Sequence, residues 1–382
     1  MIQGATNTPK KIRLSKSCLS IAEKQAVMSV LDREYLGMGQ EVQRFEKDLS
    51  DFFTRPVTCV VNGTAALQLA LQACGIGFGD EVVLPSLTYV ASFQAVSAIG
   101  ATPIACDVDE KTYVLDWCDA EKRLTSRTKA IMPVHYSGGV GDLVGVYDFA
   151  KKHNLRVIED AAHAFGSLYR GKRVGSFGDI VCFSFDGIKN ITSGEGGCIV
   201  TDDLKILKKI QDARLLGVER DSEKRYKGER SWSFDVTAQG WRYHMSNIMA
   251  AIGIEQLKRF SELSARRQSL ARYYDDLLKG HPLIKTIPHD FTSIVPHIYV
   301  IQIKKGNNRD CIQAKLLEDG IETGIHYQPN HELSFYYHEN IQPLPITDSI
   351  SKQILTLPLH PDLKQEDVER VCESLKKNLR EF

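Results

Sequence analysis

Val57-Thr58-Cys59-Val60-Val61-Asn62-Gly63-Thr64-Ala65-Ala66-Leu67-Gln68-Leu69-Ala70-Leu71-Gln72-Ala73-Cys74 reads as strand, tight turn, helix. The first five residues are an apolar, β-rich run, as a buried strand requires. Asn62-Gly63-Thr64 ends that run, and Leu67, Ala70, Leu71 and Cys74 then fall on one helical face. A strand feeding a helix through a glycine turn leaves backbone N–H groups unpaired at the positive end of the helix dipole. Such a turn suits a phosphate, although many βα turns of this composition bind nothing.

The same alternation extends outward in both directions. Strand-like runs lie at 81–84, 103–106, 130–134, 155–158, 180–183 and 198–201, with helical stretches such as 90–99 and 143–153 between them. This predicts an α/β fold with a mostly parallel sheet covered on both faces. Ligands in such sheets gather at the carboxyl ends of the strands. By that rule Asn62-Gly63-Thr64, Thr88-Tyr89, Asp107, His135-Tyr136, Asp160 with His163, and Ser184 with Lys189 collect on one edge.

Beyond the last of these strands the pattern changes. Residues 203–216 read as helix, and 218–231 as a charged mobile loop able to cover a neighbouring site. Residues 246–260 form a strong helix that continues to about 278. A smaller α+β C-terminal domain follows, with strands at 297–303 and 323–327 and a helix at 310–318. Val368, Val371, Cys372, Leu375 and Leu379 form the apolar stripe of a closing helix. With 382 residues the chain suits two domains. We expect a large domain at 1–260, with an N-terminal arm, and a small one at 261–382.

Composition excludes several classes. The formal net charge is zero, so no basic field recruits nucleic acid or an anionic membrane. No apolar run is long enough to cross a bilayer, and residues 1–16 lack the apolar core of a signal peptide. The nine cysteines are scattered with no C-x-x-C pair. They read as small buried hydrophobes in a reducing cytoplasm, not as bridges or metal ligands. No metal site is expected.

Four features bear on chemistry. Lys189 sits between two buried strands, in Phe183-Ser184-Phe185-Asp186-Gly187-Ile188-Lys189-Asn190, ahead of a glycine-dense loop. It is either a surface lysine or a Schiff-base lysine made nucleophilic by its surroundings. Asp160 ends a buried run, where a carboxylate needs a cation such as a protonated pyridine nitrogen. Alternatively it caps a helix beginning at Ala161. Tyr89 is either a core residue or an aromatic that stacks on a planar ring. The fourth feature is the Gly63-Thr64 turn.

These landmarks together are those of a known family. The chain resembles the DegT family of sugar aminotransferases from about residue 12 to its end. The resemblance rests on Asn62-Gly63-Thr64-Ala65-Ala66-Leu67, Gly79-Asp80-Glu81-Val82, Ile158-Glu159-Asp160-Ala161-Ala162-His163, Phe183-Ser184-Phe185 followed by Lys189, and Gly194-Glu195-Gly196-Gly197. It implies the aspartate aminotransferase fold (PLP fold type I), with pyridoxal 5'-phosphate (PLP) as cofactor. Lys189 matches the lysine that holds PLP and then moves the substrate proton. Asp160 matches the pyridinium partner, and Tyr89 the aromatic on the ring. Gly63, Thr64, Ala65 and Ser184 match the phosphate site. His163 stands where the family usually has glutamine, and Arg242 where an asparagine reaches across a dimer to the phosphate.

The implied enzyme is a cytoplasmic homodimer with shared active sites. It moves an amino group from L-glutamate to a nucleoside-diphosphate keto-6-deoxy sugar for deoxyamino-sugar or surface polysaccharide biosynthesis. The stretch 245–253 is more similar to members that aminate C4 than C3. Two alternatives are a sugar dehydratase of the same fold, whose members replace the lysine with histidine, and a non-catalytic sensor, which would lose Lys189 or Asp160.

Overall fold

A computed structural model describes residues 11–219, 221–229, 233–304, 308–339 and 341–380. Most of the stretch 1–16 lies outside them. The described strands are β1 (Val57–Val60), β2 (Glu81–Pro85), β3 (Thr102–Cys106), β4 (Thr128–Ile131), β5 (Arg156–Asp160), β6 (Leu168–Tyr169), β7 (Lys172–Arg173), β8 (Ile180–Ser184), β9 (Gly197–Val200), β10 (Ile284–Thr286), β11 (Tyr299–Ile303) and β12 (Ile354–Leu357).

Seven strands form one sheet in the order β1-β9-β8-β5-β4-β2-β3. From β8 to β3 every pairing is parallel, and β9 runs antiparallel between β8 and β1. The period-two alternation of a strand divides its side chains between two cores. Val181 and Phe183 of β8 join Val42, Phe45, Leu49 and Phe53 of the helix Gln40–Phe53 on one face. Ile180 and Cys182 join Leu67, Leu71 and Phe93 on the other. Both faces are covered, which is why β1, β8 and β9 are buried along their whole length. The fold class is therefore the expected one, α/β with a mostly parallel central sheet.

A second, three-stranded antiparallel sheet has the order β10-β11-β12. Its core takes Leu270, Tyr274 and Leu278 from the helix Phe260–Leu278 and Val368, Val371 and Leu375 from the helix Gln365–Arg380. Strands β6 and β7 make a small hairpin.

Three local expectations are corrected. The helix expected to run from 246 to 278 is two helices, Asn247–Lys258 and Phe260–Leu278, meeting at Arg259. Phe260, the first residue of the second helix, packs edge-on against Phe52 and Phe165. Residues 323–327 do not form a strand; only Gly324 bridges, to Thr356. The chain there leaves the sheet and carries His326 and Tyr327 to the cavity described below. The segment 218–231 contains a helix, Asp221–Tyr226, rather than only loop; residues 220, 230 and 231 lie outside the described residues. Tyr226 reaches a buried arginine, which holds that helix to the body of the fold.

Candidate active site

The carboxyl ends of β5 and β8 and the turns after β1 and β2 open onto one cavity of about 430 Å3. Gly63 and Thr64 begin the helix Gly63–Ala73, capped by Asn62, whose Oδ1 accepts the Ala65 N–H at 2.8 Å. Among the described residues the N–H groups of Gly63 and Thr64 donate to no protein group. A Cβ added at Gly63 would lie 2.8 Å from Ser184 Cβ, so the turn and the end of β8 meet too closely for any side chain. The result is a small cradle of backbone donors beside the Ser184 hydroxyl, suited to an anion.

Asp160, at the end of β5, is only 7% exposed. Its Oδ2 accepts from Ser92 Oγ at 2.7 Å and its Oδ1 from the Ala162 N–H at 3.1 Å. Residues 161–166 are turns, so the alternative of a helix cap is not realised. Among the described residues no cation pairs with this carboxylate. A buried anion held only by a hydroxyl and an amide is suited to a positively charged ligand.

Lys189 follows β8 and lines the same cavity. It is partly exposed. Burial lowers its amine from the usual lysine range to about 8, Arg267 acts in the same direction, and Asp160 and Asp186 oppose them. Its Nζ lies 3.3 Å from His297 Nε2. Three imidazoles surround it. Burial first, and the Lys189 charge second, hold His163 and His297 well below the ordinary histidine value and His326 at about 4. All three are neutral near pH 7. His163 Nε2 is 2.9 Å from the Tyr327 hydroxyl. Tyr89 is 59% exposed on the cavity wall, 5.7 Å from the Tyr327 ring between centroids, so it is not a core tyrosine.

The cavity thus brings together Gly63, Thr64, Tyr89, Asp160, His163, Ser184 and Lys189. It does not take in Ala65, whose N–H is used by Asn62. Arg242 lines a separate cavity of about 130 Å3 with Asp221, Arg225 and His244. Asp107 and His135 also lie elsewhere: Asp107 accepts from the Ile346 and Thr347 N–H groups, and His135 pairs with Glu159 at 2.7 Å. Sequence reasoning missed Ser92, His297 and Arg267. Arg267 leaves a legible signal, because it falls on the apolar stripe Leu263, Leu270, Tyr274 of its helix.

Residues 17–376 match the DegT/DnrJ/EryC1/StrS aminotransferase family. The chain is 36% identical over 363 residues to the spore coat polysaccharide biosynthesis protein SpsC of Bacillus subtilis, covering 93% of each. Among solved structures, the aminotransferase TlmJ from Streptoalloteichus hindustanus superposes with a TM-score of 0.89 at 31% identity, covering 97% of this chain and 99% of that one. Spr1654 from Streptococcus pneumoniae, in its PLP-form, superposes with a TM-score of 0.89 at 29% identity, covering 97% and 99%.

Proposed function

The chain belongs to the DegT/DnrJ/EryC1/StrS aminotransferase family and is an enzyme, and from that premise we propose that it moves an amino group from L-glutamate to a nucleotide-linked keto-6-deoxy sugar. We place the new amine at C4 in preference to C3. The observation that carries this reading is the single cavity shared by the Lys189 amine and the unpaired Asp160 carboxylate.

The residues present fit PLP. The Gly63 cradle has free donors and no room for a side chain, as a phosphate site needs. Among the described residues no cation pairs with Asp160, and a pyridinium would supply one. When bound, PLP supplies an aldehyde that accepts the donor's amino group and a protonated ring that withdraws electrons from the reacting carbon. Gly63, Thr64 and Ser184 would hold the phosphate. Asp160 would keep the ring nitrogen protonated. Tyr89 would offer an aromatic surface to the ring, and His163, hydrogen-bonded with Tyr327, would line the same site. Lys189 takes and returns the proton at the reacting carbon, a task for which an amine lowered to about 8 is better matched than an ordinary lysine.

We also propose that the enzyme works as a dimer in which Arg242 serves the partner's phosphate site, and that the chain divides at residue 260. Arg242 lies apart from the Lys189 cavity of its own chain, and the two sheets use residues on opposite sides of that boundary; both support this reading. None of the nine cysteines is in a disulfide, which fits a reducing cytoplasm.

Borohydride reduction of the PLP-treated protein, followed by peptide mass spectrometry, is expected to mark Lys189, and Lys189→Ala is expected to abolish the visible absorbance of the complex. A wild-type protein that never takes up PLP would sink the reading. Incubation with glutamate and each keto-sugar, read by NMR, tests the position; a C3 amine would overturn the preference for C4.

A further inference from the structure

Arg267, on the helix Phe260–Leu278, is 2% exposed. A guanidinium so deeply buried ordinarily meets a carboxylate. This one meets backbone oxygens instead. Its Nη1 donates to His297 O at 3.0 Å and Leu359 O at 3.3 Å. Its Nη2 donates to Ile188 O at 3.1 Å and Lys189 O at 3.4 Å. Its Nε is buried with no partner. Among the described residues no carboxylate pairs with it. A lone buried charge is costly, and neutral donors could satisfy the same carbonyls, so the charge calls for its own explanation.

The two residues whose carbonyls it grips, Lys189 and His297, are also those whose side chains meet at 3.3 Å. We propose that Arg267 is a positioning residue for Lys189: held by four backbone carbonyls, among them those of Lys189 and His297, it sets a fixed, uncompensated positive charge against the turn that carries the amine. This rests on the reading of Lys189 as the reactive amine.

The groups facing that amine set the expected direction. Asp160 from β5 and Asp186 from its own turn favour the ammonium, while burial and Arg267 disfavour it. His163, His297 and His326 are held neutral, chiefly by burial. Arg267 is itself lowered to about 10 by burial, yet remains charged at working pH. Removing its charge therefore moves the amine upward.

The test uses the full chain without cofactor. Trace acetic anhydride is applied across pH, and acetylation of Lys189 is read by mass spectrometry. The wild-type midpoint is expected near 8. Arg267→Gln keeps donors for the carbonyls and loses the charge; its midpoint is expected to rise by about half a unit or more. Arg267→Lys keeps the charge and loses the fork; its midpoint is expected to stay within about a few tenths of wild type. A merely structural arginine would move both variants alike, because either change would loosen the site and admit water. An unmoved midpoint in Arg267→Gln, or an equal rise in both, overturns the proposal. If Arg267→Gln does not fold, a raised midpoint in Arg267→Lys alone overturns it. Borohydride marking of some other lysine in the PLP-treated protein would instead sink the reading of Lys189, without touching the measured midpoints.

Discussion

The chain buries charge in two places and treats it in opposite ways. Around Arg214, which is fully buried, every charge is answered. Its Nη1 donates to Glu46 Oε1 at 2.5 Å and to Cys59 O at 2.6 Å, and its Nη2 donates to the Tyr226 hydroxyl at 2.8 Å. Glu46 also accepts from the Cys59 N–H at 2.8 Å and from the Tyr226 hydroxyl. Burial alone would lower the guanidinium; Glu46 and Tyr226 more than offset it, so Arg214 is raised. Around Lys189 the ends are left open. Among the described residues the amine has a neutral imidazole at 3.3 Å, Asp160 has a hydroxyl and an amide, and Arg267 has only carbonyls. The first arrangement matches its buried charges one against the other and ties the helix Gln40–Phe53 to the chain at Arg214. The second is incomplete in a way that a ligand carrying a phosphate, a cation and an electrophile would finish.

Substitutions should separate the two. The largest effect is expected at the closed network: Glu46→Ala strands the Arg214 charge and should cost about 4 kcal/mol in urea unfolding. Turnover per folded molecule should stay near wild type. A cost below about 1 kcal/mol would mean that the network is not structural in the sense argued.

The open site should give the opposite sign. Lys189 is held below its unfolded value of 10.5, at about 8. Below pH 8 the folded chain carries the cost of a buried ammonium. As pH rises from about 8 to 10.5 the folded state sheds that proton first, and wild-type stability rises relative to a neutral side chain. Lys189→Met should therefore stabilise the cofactor-free protein at pH 7 by about 2 kcal/mol. The advantage should shrink as pH approaches 10.5. A pH-independent difference would show that the lysine is not charged and buried as described.

The smallest effect, about 1 kcal/mol, is expected for Tyr226→Phe, which removes one hydroxyl from the closed network and leaves both charges in contact. Unfolding measured beside Glu46→Ala would grade the network from charge to hydroxyl. Equal losses in the two variants would blur the distinction between them.

Much of this was legible before any coordinates. The runs at 81–84, 103–106 and 180–183 lie within observed strands: β2 and β8 are buried along their whole length, while β3, at the edge of the sheet, buries only Cys106. Val42, Phe45, Leu49 and Phe52 stand at helical spacing, and all four lie on the helix Gln40–Phe53. What local pattern misjudged were segments whose conformation is set by distant partners. The charged composition of 218–231 hid a helix tied down through Tyr226. The β-like composition of 323–327 did not make a strand, because that backbone pairs with β12 at one residue only.

By itself, the sequence determined the α/β class and the strand ends on which Gly63, Asp160, Ser184 and Lys189 sit, since periodicity and turn chemistry are local properties of the chain. Only the tertiary structure decided that Asp107 and His135 are spent elsewhere, that Arg242 stands apart from its own chain's cavity, and that Arg267 and His297 close in on Lys189. Those outcomes depend on which groups meet across 78 and 108 residues of separation. They depend equally on which charges packing leaves without a counter-charge, a sum over neighbours that no short stretch of sequence contains.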